Sequence, residues 1–519
     1  MPQQTTNINT KSETPPNNEL THIEFNDLNT LVNDNSNDTE TRLSALESGY
    51  TTNDGRTTTL ESNAGPVQSY STPNLPTTGT NGTIAYDTLL KTILYIKDNL
   101  WYRIDDNTQV IASISFSFTV QTDNAGTSAS NQFTLPTISS GNYDFSIDWG
   151  DGNSDNITAY DDAAITHTYS VAGSYSISIN GLSIDGWKFS NGGDADKIIE
   201  ITDFGILTLS DASQAFWGCD NMTISSTNIP DTSNATNMYN TFRDCSSLTS
   251  VPLIQTNNAT NFRGMFMNCS SLTTIPLIDT SNGTNFFQMF QGCSNLTSIP
   301  NLNLDGITTG RNMFWSCSVL NSIHLFDTSN CTEFNGMFFN CLGLTSIPHY
   351  DTSSATTLQD FLRSCRNIVS LPLFITSTVT NFASAFRDMR AITSMPVIDT
   401  SNGTTFVRTW NTCQGLTSFP ILDLSSGTDF SYTWSLCTAL TTFPLLDLSS
   451  GTDFSQAWEF CALDSTSVDN IMQALVANGS SNLSTSLAGG STIPFTSWSA
   501  QAQSDHATLI SRGWTIATN

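Results

Sequence analysis

The sequence predicts a multidomain chain that ends in an α/β solenoid of about eleven coils, preceded by a β-sandwich and a fibre-like N-terminal segment. Three observations carry this. Cysteines recur at 24-residue steps (Cys245, Cys269, Cys293, Cys317, Cys341 and Cys365, then Cys413, Cys437 and Cys461), after an opening step of 26 from Cys219. Self-similarity at such a period marks a repeat architecture. Upstream, Tyr143, Phe145, Ile147 and Trp149 alternate with Asp144, Ser146 and Asp148, the period of a half-buried strand. Nearer the start, Leu43, Leu46, Tyr50, Asn53, Thr57 and Leu60 step by three and four, the spacing of a heptad seam.

Composition narrows the partners. The 519 residues carry 17 basic and 46 acidic side chains, a formal net charge of −29, which repels phosphate backbones and anionic lipid and argues against a nucleic-acid partner. An apolar fraction of 38% still permits a core. No apolar run approaches the ~18 residues of a membrane span, so membrane insertion is not expected. The opening MPQQTTNINTKSETPP lacks the hydrophobic stretch of a secretory signal, and the expectation is a chain that is not exported by that route.

Residues 1–65 read as an anchoring and oligomerising segment. The heptad seam is diluted by Asn53 and Thr57, and so polar a seam cannot hold a lone helix. Oligomerisation is implied, with a homotrimer expected. Residues 66–110 read as a small β connector: a turn-rich linker from Pro73 to Gly82, then a meander from the stretches 82–87, 94–96 and 100–104. The run G-T-I-A-Y-D followed by L-Y-I and L-W-Y-R-I resembles a segment that recurs in phage virion and tail-fibre proteins.

Residues 111–200 form the expected sandwich. A second alternating run, Tyr175-Ser176-Ile177-Ser178-Ile179, follows the turn Gly150-Asp151-Gly152 and the triplet His167-Thr168-Tyr169. This D-W-G-D-G … H-T-Y-x-x-A-G-S-Y pattern resembles the PKD-like domain, which implies a spacer or binding module and names no ligand.

Residues 201–465 carry the repeat. Three before each Cys slot stands a large apolar residue (Phe216, Phe242, Phe266, Phe290, Phe314, Phe338, Leu362, Phe386, Trp410, Trp434, Trp458). Seven before it runs a second apolar column that only Gly310 breaks, and Met389 fills the slot where a cysteine is missing. Apolar residues four apart with Cys three later predict a short helix in each repeat. Leu at plus three and an extended T-S-I-P-L-I-like run complete a unit of one strand and one helix, a leucine-rich-repeat solenoid. The unit resembles the BspA-like leucine-rich repeats of bacterial and phage surface proteins. Residues 466–519 close the array, and Asp505–Ile516 resembles the helix-plus-strand cap that ends such stacks.

Candidate chemistry is sparse. The cysteines stand singly, with no C-x-x-C pair and no histidines at ligand spacing, so they read as reduced, buried thiols. Asp279, Asp327, Asp351, Asp399, Asp423 and Asp447 each open a D-T-S or D-L-S turn, where an Asp side chain accepts from the backbone two residues on. Incidental calcium at such carboxylates, or at Asp148, Asp151 and Asp155, is the one cation considered; no cofactor is expected. His167 reads as a packing or hydrogen-bonding residue. No nucleophile elbow, P-loop, dinucleotide fingerprint or H-E-x-x-H occurs, and an enzyme is not expected.

The informative positions lie six and two before each slot, outward-facing and variable. They gather Tyr239, Arg243, Arg263, Phe287, Arg311, Trp315, Phe339, Arg363 and Arg387, the residue types enriched at binding hot spots. This stripe is the candidate surface for a host receptor, a cell-surface glycan or protein, or else for packing on another part of the assembly. Together with the resemblances, it points to a virion structural and adhesion protein, a phage tail fibre or similar appendage. The N-terminus would join other virion proteins. The alternatives are a capsid- or neck-attached fibre or decoration protein, or a bacterial cell-surface adhesin.

Overall fold

The computed structural model describes residues 115–519, apart from the side chains of residues 182 and 183, and the backbone of five short strands within the first 114 residues. The heptad seam at 43–60 lies outside the described residues. The five strands are β1 (Gln68–Tyr70), β2 (Ile84–Asp87), β3 (Thr92–Lys97), β4 (Leu100–Arg103) and β5 (Gln109–Val110). They form one sheet in sequence order. β1 runs parallel to β2 and the other neighbours are antiparallel, so β2 to β5 is a meander.

Residues 115–519 form a second compact unit. It opens with β6 (Ser115–Gln121), β7 (Gln132–Thr134), β8 (Asn142–Asp148), β9 (Ser154–Ile157), β10 (Thr166–Thr168) and β11 (Ser174–Asp185). β12 (Ile198–Asp203), β13 (Leu207–Thr208) and β14 (Thr223–Ile224) follow. The main sheet has the order β14-β12-β6-β11-β8-β9, with β13 on β11, and β7 pairs separately with β10. Alternation does what the sequence asks: Phe116, Phe118 and Val120 from β6 and Tyr143, Phe145 and Ile147 from β8 point inward together. The boundary drawn at 200/201 falls inside β12, which pairs antiparallel with β6 and parallel with β14. One sheet thus carries the chain from β6, β8, β9 and β11 into the repeats.

The repeats contain no helix, which corrects the α/β expectation: among the described residues the only α-helices are α1 (Ser465–Asn478) and α2 (Ala500–Ser511), both beyond the last Cys slot. The coil from Met238 to Cys245 shows the reason. Asn240 and Asp244 hold positive φ of 54° and 59°, and a helix of L-residues needs every φ negative. The chain instead makes successive turns, with N–H groups of Thr241, Arg243 and Cys245 donating three residues back at 3.3 Å. The alternate N–H groups of Met238, Asn240, Phe242 and Asp244 point along the stack and donate to carbonyls of residues 261, 263, 265 and 267 at 2.7–3.0 Å. The same pair of left-handed positions recurs in every later coil, from Gly264 and Asn268 to Gln456 and Phe460. Hydrogen bonds that a helix would close within itself are here spent joining coil to coil.

The apolar columns fill the interior as expected. The ring three before each slot stacks nearly parallel on its successor from Phe216 to Phe338 at 5.5–5.9 Å, and the Trp410, Trp434 and Trp458 indoles continue this at 6.0 and 5.2 Å. All eleven cysteines are free and buried.

Both ends of the ladder are occupied. Phe189, Ser190 and Asn191 donate to the carbonyls of Ala215, Gln214 and Trp217. At the other end Phe460 donates to Ala488, just after β15 (Ser484–Ser486), which pairs parallel with β16 (Thr515–Ala517). α1 is capped by Asp464 and closed by Gly479 in the left-handed region. Helix α2 followed by β16 is the helix-plus-strand close read at 505–516.

Candidate functional site

The stripe is positioned by the turn pair rather than by a helix. Residues six and two before the slot are four apart and each lies between a buried residue and a left-handed one; the nine predicted residues stay at the surface, whereas Met267, Asn411, Ser431 and Ser435 of the same columns are buried. The residue eight before the slot fixes the first of them: Asn237, Asn261 and Asn285 accept from the N–H groups of Tyr239, Arg263 and Phe287 at 3.1–3.2 Å. Asn261 also donates across the coils to Asn237 at 2.9 Å.

Along the stack these side chains become each other's partners. The Arg263 guanidinium lies 5.5 Å from the Tyr239 ring and 4.9 Å from the Phe287 ring, and Arg311 lies 5.7 Å from Phe287. Tyr239, Arg263, Phe287 and Arg311 thus alternate ring and cation over four coils. In the second column Trp315 stacks on Phe339 at 4.0 Å, and Arg363 covers Phe339 at 4.8 Å. The structure therefore brings seven of the nine predicted residues together, into two ladders whose ring faces are largely used within the chain, while Arg243 and Arg387 join neither. Arg263 and Arg311 are exposed, and the remaining stripe residues are half-buried.

Three residues belong to this surface that the sequence reading missed. Trp217 stands two before Cys219, so the same column rule would have found it; Arg243 covers it at 4.8 Å, and its indole donates to Asp244 at 2.8 Å. Arg408 over Tyr432, at 4.7 Å, occupies the left-handed column five before the slot. No helical face predicts that pair.

Charge along the face is unevenly matched. Arg243 pairs with Asp244 at 3.3 Å and Arg363 with Asp360 at 3.0 Å. Asp388 takes both Arg366 and Arg390, at 2.8 and 2.7 Å. Burial works to raise the Asp388 carboxyl, but the hydrogen bonds from the two arginines outweigh it and hold it below the usual range. Among the described residues Arg263, Arg311 and Arg387 have no carboxylate within ion-pair distance. Burial depresses Arg387, and Arg363 and Arg408 add to the effect.

The carboxylates considered for cations are engaged elsewhere. Asp279, Asp327, Asp351, Asp399, Asp423 and Asp447 accept from the N–H two residues on at 2.8–3.1 Å. Asp148 accepts from Gly150, Asp155 from the Trp149 indole and Asp151 from Asn153, while Asp151 also meets His167 at 2.9 Å. His167 stacks on Trp149 at 4.8 Å. A groove of about 510 Å³ between the 191–196 loop and the first coils is lined by Asp196, Asp220 and Asp244. Burial raises the Asp220 carboxyl, and Asp196 and Asp244 raise it further. Among the described residues no group of three His, Cys, Asp or Glu side chains is placed to hold a metal ion.

A family model described as "Mycoplasma protein of unknown function, DUF285" matches residues 187–301 and again 284–400. The two matches overlap, cover less than half of the chain and fall largely on its 24-residue repeats. Among solved structures, a leucine-rich repeat protein from Bacteroides ovatus ATCC 8483 is similar at 14% identity with a TM-score of 0.31, over 62% of this chain and 84% of that one. The curated proteins hold no match to the chain.

Proposed function

We propose that the chain is a non-enzymatic structural and adhesion protein of a phage particle, a tail fibre or similar appendage whose repeats face a host receptor. In this reading the first 65 residues trimerise and join other virion proteins, the 111–200 region acts as a PKD-like spacer, and the solenoid presents the stripe. The observation that carries the adhesive part is the row of arginine and aromatic side chains held outward coil after coil, on a ladder rigid enough to keep their spacing. Rings and guanidiniums locked in this way lose little entropy on binding.

Immunogold labelling of purified particles, with an antibody raised against residues 115–519, tests the location; labelling at the tail supports the reading. Absence of the chain from the particle's proteins by mass spectrometry sinks it and favours a bacterial cell-surface adhesin, where the same face would serve the same purpose.

A further inference from the structure

Arg263 and Arg311, exposed on the stripe and without a carboxylate in ion-pair distance, are the feature the fold does not account for. In a chain of net charge −29, a cation on the surface has carboxylates in abundance to choose from. Asp244, Asp360 and Asp388 are taken by other arginines. Arg263 and Arg311 stand one coil before and one coil after Phe287, and stacking on that ring fixes both planes. Stacking uses the faces of a guanidinium and leaves its N–H edges free, and those edges form the fork that matches an anionic oxygen pair. The Phe287 ring is covered on both sides, so neither a base nor a sugar ring has a face to stack on there. What this part of the surface can still offer a ligand is a line of hydrogen-bond donors carrying positive charge. At physiological ionic strength the chain's remote negative charge is screened beyond ~8 Å, and the local cations decide what docks.

We infer that Arg263 and Arg311 bind the anionic groups of an acidic polysaccharide. This rests on the reading of the stripe as the receptor-facing surface and gives that receptor a chemical class. The two guanidiniums stand two coils apart in one column, on either side of Phe287, which suits a polymer that carries charge along its length. Nucleic acid shares the charge but depends on base stacking for much of its single-strand affinity, and the covered ring refuses that contribution.

The test uses the full-length protein against polygalacturonate and dextran sulfate, with fully methyl-esterified pectin and plain dextran as neutral counterparts and single-stranded DNA as a further polyanion. Binding to one or both acidic polymers and to neither neutral one is expected, and the two acidic arms separate carboxylate from sulfate recognition. Arg263→Gln/Arg311→Gln should weaken that binding at least tenfold at an unchanged melting temperature. Arg366→Gln, which removes an arginine already paired with Asp388, should stay within twofold of the parent. Equal binding of neutral polymers, an unaffected double variant, or DNA bound as tightly as the acidic polymers would overturn the inference. Cell adsorption separates this from the broader reading. If the double variant loses adsorption while neither acidic polymer binds the parent, the ligand class is wrong and the receptor face stands. If it loses polymer binding with adsorption unchanged, the anion site stands and the receptor role falls.

Discussion

The thiol of Cys293 donates to the backbone carbonyl of Phe266, one coil back, at 3.0 Å. The same bond joins Cys269 to Phe242, Cys317 to Phe290, Cys341 to Phe314, Cys365 to Phe338, Cys413 to Phe386 and Cys437 to Trp410 at 3.0–3.1 Å. The column is therefore more than small apolar filling: each sulfur stitches its coil to the one before. Phe266 O also accepts the Cys269 N–H at 3.1 Å, so losing the thiol does not orphan the carbonyl. Cys293→Ala should cost about 1–2 kcal/mol, for a weak bond and a small void. Cys293→Ser keeps a donor for Phe266 and should cost no more than the alanine variant. Denaturant unfolding of both decides the point; serine worse than alanine by ~2 kcal/mol would show that the hydroxyl goes unpaired.

Burial also pushes these thiols up, to about 12 at Cys365 and Cys461 and about 11 at Cys331. A thiol so buried and so protonated at pH 8 should alkylate only through unfolding. The folded protein should stay unlabelled over a period in which denatured, unreduced chain takes eleven labels, as eleven free cysteines require. Intact mass reads both arms, and several unlabelled sites in denaturant would contradict the reduced column.

The inward columns were legible from spacing alone, because a fixed period returns each position to the same side of the coil: Phe262, Phe286, Leu248 and Leu272 are all fully buried. The helix was misread because two consecutive turns, each closing on a left-handed residue, also bring positions four apart to one face. A signal for turns was present. Asn240, Asp244, Asn268, Gly292, Asn312, Gly336 and Asn340 occupy the two left-handed columns, and these residue types tolerate positive φ far better than helix formers. The stripe's positions were legible too, but its contacts run between residues 24 apart whose side chains had first to be stacked. Period alone does not say whether a ring meets a ligand or the next arginine.

Asp388 should make the arginine-rich part of the repeat array pH-sensitive. Its carboxyl sits below the ordinary range in the folded chain, so it contributes stability that is fully present above the unfolded value of ~3.9 and is lost as pH falls through the lower folded value. Asp388→Asn should lower stability at pH 7 by about 1–3 kcal/mol, the range for hydrogen bonds to charged groups. The gap between variant and parent should close as pH falls from 5 toward 2. Thermal unfolding across that window checks this; a gap that stays constant would mean the carboxylate's charge is not what matters.

Lys197 is invisible to sequence reading because its partners are some 65 residues away. Its side chain is fully buried, and its ammonium donates to the carbonyls of Ser128, Ala129 and Gln132 and to the Ser128 hydroxyl at 2.7–3.2 Å. Asp194, equally buried, lies 3.9 Å away and accepts from Ser128 and Thr134. The cluster ties the 128–134 segment to the passage into β12. Lys197→Met keeps the bulk but leaves Asp194 uncompensated, which should cost about 3–5 kcal/mol. A loss below ~1 kcal/mol in denaturant unfolding would show that the network is not structural.

The break at Gly310 is a compensated exchange. In the coils that carry Gly283, Gly403, Gly427 and Gly451, the space a side chain would need is filled by the ring of Phe286, Phe406, Phe430 or Phe454, three residues on. In the coil that has Gly310 in place of the ring, the small position holds Ile307 instead, and Ile307 is fully buried. The isoleucine takes up the volume the ring gives up, while the Met337 sulfur would stand 3.0 Å from a Cβ added at Gly310. Gly310→Phe alone should therefore overpack the core and cost about 1–3 kcal/mol, and Ile307→Gly alone should leave a cavity of similar cost. Made together, the two changes restore the arrangement of the neighbouring coils, and the double variant should be more stable than either single one. A double-mutant cycle by urea unfolding measures the coupling. Additive losses would show that the two sites do not share one volume.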